Sequence, residues 1–309
     1  MDKQTEKKYN YWQWRTLITL MIGYALYYFV RKHFSVVMPA LESELGISKV
    51  QLGLFLTLNG IIYGISRFVN GLLADRFSRK ILMSAGLLLS ALTNFIICFS
   101  PSMNSFVNVL DAEGKATMTL VYIIGSLWVL NGYFQGMGVP PCISLMCHWI
   151  RPSELATKQS IWNASHSIGA GLISVMCGFI LKHYGYSSWQ LCFAIPAAIA
   201  VVGAIALFFT LKDTPSSVGL PEIEDMEKEE GKSQCEVEEN KAKELSGPAF
   251  KKFVNKLVFG NPLIWILAVS NFCIYVVRFT ILDWGTTFLT QFKGMEISAA
   301  GTVVAGFGS

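Results

Sequence analysis

Apolar residues fall in long blocks along this chain, separated by short clusters of polar and basic residues. A helix needs ~20 mostly apolar residues to cross a bilayer. Eight blocks reach or begin such a length: residues 15–39, 50–73, 81–99, 120–141, 154–181, 191–211, 262–289 and one starting near 297. The fourth passes Gly132, Gly136 and Gly138 into Pro140-Pro141 and can resume to Trp149. Tyr9, Tyr11, Trp12 and Trp14 lead into the first, as interfacial aromatics do. The pattern predicts an all-α membrane protein. Between the sixth and seventh blocks the chain turns polar, with Glu222-Ile223-Glu224-Asp225 and a mixed Lys/Glu run. Its low apolar content predicts a linker, 213–258, with a short amphipathic helix near 250–258. The expected domains are a six-helix bundle over 1–212, this linker, and the start of a second bundle over 259–309.

Composition agrees. The 309 residues are 52% hydrophobic and 15% charged, where a soluble domain is nearer ~25% charged. The net charge of +4 is small and dispersed, with no basic, aromatic-interleaved patch for nucleic acid. Cys98, Cys142, Cys147, Cys177, Cys192 and Cys273 lie in or beside apolar blocks and Cys235 in the linker, without metal-ligand spacing. They read as small hydrophobes, and no metal or cofactor is expected. The polar N-terminus precedes a span too long for a signal-peptide core. Lys3, Lys7, Lys8, Arg15, Arg76, Arg79, Lys80, Arg151, Lys158 and the linker lysines share one side; Lys49, Lys115, Lys182 and Lys293 share the other. The positive-inside rule then places the N-terminus and linker in the cytoplasm.

Two blocks carry an arginine at depth, in similar local sequence: Tyr28-Phe29-Val30-Arg31 and Tyr275-Val276-Val277-Arg278. Such a charge costs at least ~2.5–3.5 kcal/mol on insertion scales, so a functional use is the default reading. The alternative is an arginine that snorkels or pairs with an acid. Both lie too deep for easy escape, and Asp283 follows Arg278 at i+5, a poor same-face spacing. Arg67, one helical turn before Gly71, is either a third anion contact or a gate residue. Tyr24, Tyr28 and Tyr63 have pore-compatible spacings, and either hydrogen-bond an anion or pack between helices. His166, flanked by Asn163 and Ser167, is either a packing residue or a titratable partner for a phosphate ester, whose second pKa lies near ~6. His33, His148 and His183 lie near block ends and are expected at interfaces. Gly136, Gly138, Gly169 and Gly171 are expected at close helix contacts, and Pro140-Pro141 at a flexible break. The chain holds no Ser/His/Asp triad, zinc-ligand pattern or phosphate-binding loop, so an enzyme is not expected.

Gly71-Leu72-Leu73-Ala74-Asp75-Arg76-Phe77-Ser78-Arg79-Lys80 joins the second and third blocks and resembles the signature loop of the major facilitator superfamily. Ser78 stands where that loop usually has glycine. Gly71 would allow close helix approach, and Asp75, with Arg76 and Arg79, would cap or pair at the cytoplasmic face. Further stretches resemble the organophosphate:phosphate antiporter family: Gly23-Tyr24-Ala25-Leu26-Tyr27-Tyr28-Phe29-Val30-Arg31-Lys32, Gly132-Tyr133-Phe134-Gln135-Gly136-Met137-Gly138-Val139-Pro140-Pro141, Trp162-Asn163-Ala164-Ser165-His166-Ser167 and Asp283-Trp284. Arg67, Ser167 and Val139 depart from the residues common there. The resemblance implies a major facilitator fold in a bacterial inner membrane, monomeric when complete. It also implies that Arg31 and Arg278 grip a substrate phosphate from two halves, with the phosphate ester exchanged for inorganic phosphate. A membrane hexose-phosphate sensor signalling to a kinase is the alternative it leaves. The block cut at Ser309 reads as a C-terminal truncation, and a fragment lacking those helices is expected to transport nothing.

Overall fold

The computed structural model describes residues 3–74, 77–223 and 260–308. Among them the chain forms nine α-helices: α1 (Lys3–Leu45), α2 (Lys49–Ala74), α3 (Arg79–Phe99), α4 (Met118–Gln135), α5 (Val139–Trp149), α6 (Pro152–Tyr184), α7 (Leu191–Thr210), α8 (Pro262–Gln291) and α9 (Ile297–Gly308). By length and composition α2, α3, α6, α7 and α8 can each cross a membrane. The longest helix, α1, is not among them, since Arg15, Arg31 and Lys32 interrupt its apolar run. The fourth apolar block divides into α4 and α5. Pro140 and Pro141 sit in the first turn of α5, where proline starts a helix it could not continue. Pro262 likewise opens α8, behind Asn261, whose side chain caps the Leu263 amide at 3.0 Å.

Helix α1 lies in the middle of the first bundle, against α6 and α7. A Cβ at Gly169 would lie 2.6 Å from the Ala25 carbonyl oxygen, so α6 meets α1 backbone to backbone. Gly132 does the same for α4 and α2, where a Cβ would come within 2.8 Å of the Asn59 oxygen. Gly136 abuts Ser66 and the Arg67 amide, as expected. Two expectations fail here. A Cβ at Gly171 would make only ordinary contact with Ala305, and nothing lies within 4 Å of one at Gly71. His33 also departs from its expected interface, because it is fully buried, edge-on to Phe193 at 4.5 Å and Trp128 at 5.8 Å. The α-helical period, not distance from the block end, puts it on the inner face of α1. His148 is half-buried and His183 exposed.

The start of the polar stretch folds beneath the N-terminal end of the bundle. Asp213 accepts from the Ser78 hydroxyl at 2.5 Å and the Lys80 amide at 2.8 Å, closing the N-terminus of α3. The Trp149 indole donates to the Lys212 carbonyl at 2.9 Å, and Leu220 and Ile223 are buried. Tyr9 donates to the Trp149 carbonyl at 3.2 Å, and its burial pushes the phenol up to about 12. The expected helix near 250–258 lies outside the described residues.

Helix α8 runs parallel to α1, and α9 returns along α6. Their contacts gather toward the Leu45 end of α1. Gln291 donates to Glu42 at 2.6 Å, and Lys182 pairs with Glu296 at 2.8 Å. The Glu296 carboxyl is held below its usual range by hydrogen bonding to Lys182. Toward the other end, Leu263 through Val277 are exposed. Among the described residues, α8 and α9 therefore touch the first bundle at the Leu45 end of α1, and α8 stands apart from it toward the other end.

Candidate anion-binding site

A cavity of about 750 Å³ lies between α8 and the first bundle, lined by Arg31, Lys32, Tyr63 and Arg67 on one side and Tyr275 and Asp283 on the other. A smaller chamber of about 40 Å³ adjoins it, lined by Tyr28, His166 and Arg278. Lys32, Tyr275 and Phe279 border both, so they form one site.

The Arg31 guanidinium lies 4.2 Å from the Tyr63 ring centroid and 5.4 Å from that of Tyr28. Aromatic faces hold the cation without consuming its hydrogen bonds in an acid, so its N–H fork stays available to an anion. Arg67, one turn after Tyr63, is exposed to the cavity with its guanidinium 5.5 Å from the same ring. On the other side, Arg278 donates through Nη2 to His166 Nε2 at 2.8 Å. His166 Nδ1 bonds the Asn163 carbonyl. That pair of bonds assigns a neutral imidazole with its proton on Nδ1. The Tyr28 ring is 5.6 Å from His166, and the fields of both Arg31 and Arg278 reach His166 and Lys32.

The fold thus brings Arg31, Arg278, His166, Tyr28, Tyr63 and Arg67 around one space. Tyr24 stands directly behind Tyr28. It is 8% exposed, stacked on Trp162 at 4.7 Å and edge-on to Tyr28 at 5.5 Å, and lines neither cavity. Close packing of α1 on α6 turns its ring into that stack. In the signature loop, Asp75 and Arg76 lie outside the described residues, and Arg79 Nε donates to Ser144 on α5 at 2.7 Å.

Sequence reading missed the ion pair that crosses the site. Lys32 Nζ meets Asp283 Oδ1 at 2.6 Å, with the Ser35 hydroxyl 3.3 Å from the same oxygen. The available signals were a lysine in an apolar block directly after Arg31 and a lone carboxylate in the seventh block. Judged only along its own helix, Asp283 had no good partner; its partner comes from the other half.

The chain is 36% identical over 294 residues to a probable hexose phosphate transport protein of Chlamydia pneumoniae, covering 93% of this chain and 59% of that one. It is 35% identical to a glycerol-3-phosphate transporter of Bacillus subtilis (96% and 61% covered) and 32% identical to the membrane sensor protein UhpC of Escherichia coli (98% and 63%). The chain therefore spans about 60% of the length of these relatives. Among solved structures, a bacterial homolog of the lysosomal transporter Spinster, in an inward-facing and unoccupied conformation, superposes with a TM-score of 0.68 at 18% identity, covering 96% of this chain and 60% of that one. At that identity the likeness speaks for the fold alone. The family model of the Major Facilitator Superfamily matches residues 20–309, which takes in α2 to α9, most of α1 and every cavity-lining side chain named above. With its apolar helices, its signature loop and this match, the chain belongs to the major facilitator superfamily and is a multi-pass integral membrane protein.

Proposed function

We propose that the complete protein exchanges a phosphorylated metabolite, a hexose phosphate or glycerol phosphate, for inorganic phosphate by alternating access. The observation that carries this reading is the convergence of Arg31 from α1 and Arg278 from α8 on one space. Guanidinium stays charged when desolvated and matches two phosphate oxygens at once. With one arginine from each half, a bound dianion draws the halves together, while the empty site keeps two cations apart. Phosphate binding then lowers the barrier to rocking, and exchange follows without ATP.

In this reading His166 accepts from Arg278 and orients its fork. Tyr28 and Tyr63 hold Arg31, and Arg67 extends the positive lining toward the open end. Residues 1–212 and 259–309 act as parts of two rocking bundles joined by the 213–258 linker, working as a monomer in a bacterial plasma membrane. The basic loops put the N-terminus in the cytoplasm, so the separated end of the halves opens inward. Gly71, Asp75, Arg76 and Arg79 then belong to the cytoplasmic hinge between α2 and α3.

The complete gene product, purified and reconstituted in liposomes, tests this by exchange of labelled phosphate against sugar phosphate and glycerol phosphate. Arg31→Lys and Arg278→Lys are each expected to lower exchange about ten- to a hundredfold while expression is retained, since a point charge loses the bidentate hydrogen bonding. Normal exchange by either variant removes that arginine from the site. The similarity to a membrane sensor supports a second reading, in which the same site detects its ligand. Phosphate-ester binding with no exchange would favour it.

A further inference from the structure

Helix α1 is broken at Val30, whose φ of −94° and ψ of 19° are not helical. Kinks have local causes: proline, glycine or serine pairs, or a side chain inserted into the backbone ladder. Neither proline nor glycine occurs between Tyr24 and Met38. Three side chains instead bond the backbone there. Asn94 on α3 and Asn131 on α4 both donate through Nδ2 to the Val30 carbonyl, at 3.2 and 3.0 Å. His33 Nδ1 lies 2.9 Å from the Phe29 carbonyl. All three are fully buried, and neither asparagine lines the cavities.

Both carboxamides make further contacts. Asn94 Nδ2 also reaches the Ser90 carbonyl at 2.7 Å, and Asn131 Oδ1 takes the Thr93 hydroxyl and Asn94 Nδ2, each at 3.4 Å. Buried donors from two separate helices thus meet at one carbonyl. The Val30 C=O and the Arg31 N–H belong to the same planar peptide unit. Holding that oxygen fixes the peptide plane and the N–Cα bond about which the Arg31 side chain is set, so that only the φ of Arg31 remains to direct it. Val30 and Phe34 on either side point into the core at 0% exposure, while Arg31 turns into the cavity against Tyr63.

We propose that Asn94 and Asn131 are positioning residues that clamp the Val30–Arg31 peptide and aim the Arg31 guanidinium at the bound anion. The proposal rests on the phosphate reading for its ligand, but not for its geometry. The complete protein tests it through two readouts. The first is inorganic phosphate affinity, measured calorimetrically in detergent for Asn94→Leu, Asn131→Leu and the milder Asn131→Ser. Each is expected to weaken binding about tenfold in the wild-type and Arg278→Lys backgrounds, yet less than about twofold with Arg31→Lys, because coupled residues are not additive. An equal loss in the Arg31→Lys background would reduce the asparagines to ordinary core packing and overturn the clamp.

The second readout needs no ligand. In a background without native cysteines, the Arg31→Cys thiol attacks a charged methanethiosulfonate reagent from the cavity, forming a mixed disulfide and releasing methanesulfinate. Each asparagine variant is expected to slow that reaction about tenfold, leaving unchanged the reaction at Gly60→Cys, a cavity position with nothing within 4 Å of an added Cβ. Unchanged reactivity at position 31 overturns the clamp whatever the affinities show. Failure of the wild-type protein to bind phosphate counts against the phosphate reading alone, and the thiol-modification rates still decide the clamp.

Discussion

Lys32 has 8% of its side chain exposed, and its counter-charge comes from the other half of the molecule, in Asp283. A buried pair contributes little against an apolar substitute, but removing one partner strands the other at a cost of ~3–5 kcal/mol. Asp283→Asn is therefore expected to lower the thermal stability of the purified protein sharply, and Lys32→Met with Asp283→Leu to recover most of it; a double variant as unstable as the single would show that packing, not charge, is at stake. Arg31, Arg278 and His166 were legible in the sequence because a polar group in an apolar block is conspicuous by itself. Lys32 was not, since its meaning depends on a contact between distant helices. Tyr24 shows a related limit: helical spacing narrows the face of a side chain, but the stack on Trp162 decides its neighbours.

Among the elements, the apolar blocks gave helix number and order closely, with α2 at Lys49–Ala74 and α6 at Pro152–Tyr184 within a few residues of expectation. The first block fell short, because α1 continues through polar residues at both ends, which apolar counting cannot see. Glycine roles were only partly legible, since a glycine shows in sequence but the backbone it faces does not. Gly169 and Gly60 make the contrast testable. Gly169→Ala would press a methyl group on the Ala25 backbone and is expected to cost about 1–3 kcal/mol of stability. Gly60→Ala meets open space and is expected to leave the unfolding midpoint in detergent nearly unchanged. Equal effects at the two positions would contradict the tight α1–α6 contact.

For the whole molecule, the closed end is held partly by an exposed ion pair, Lys182–Glu296, which joins α6 to the α8–α9 turn. The Glu296 carboxyl is depressed, so its contribution is present above the ordinary carboxylate range and is lost as pH falls through its lowered value. Cross-linking between cysteines placed at the closed end should weaken slightly in that acid range, and Glu296→Gln should remove this pH dependence; exposure to solvent keeps the effect small. The cavity itself has an electrical consequence. Arg31, Lys32, Arg67 and Arg278 face Asp283 there, and His166 is neutral, leaving three net positive charges among the described residues of the cavity lining. Alternating access moves the barrier past a fixed site, so the voltage drop transfers from one side of those charges to the other. Each charge then couples to the membrane potential by up to ~2.3 kcal/mol per 100 mV. A bound dianion leaves one net charge in place of three. A potential negative inside therefore favours the empty site in contact with the cytoplasm, a bias largely relieved by loading. Exchange of one dianion for another is electrically silent over the full cycle although each half-step is not, and a phosphate jump on a supported membrane should register as a transient current with no steady component.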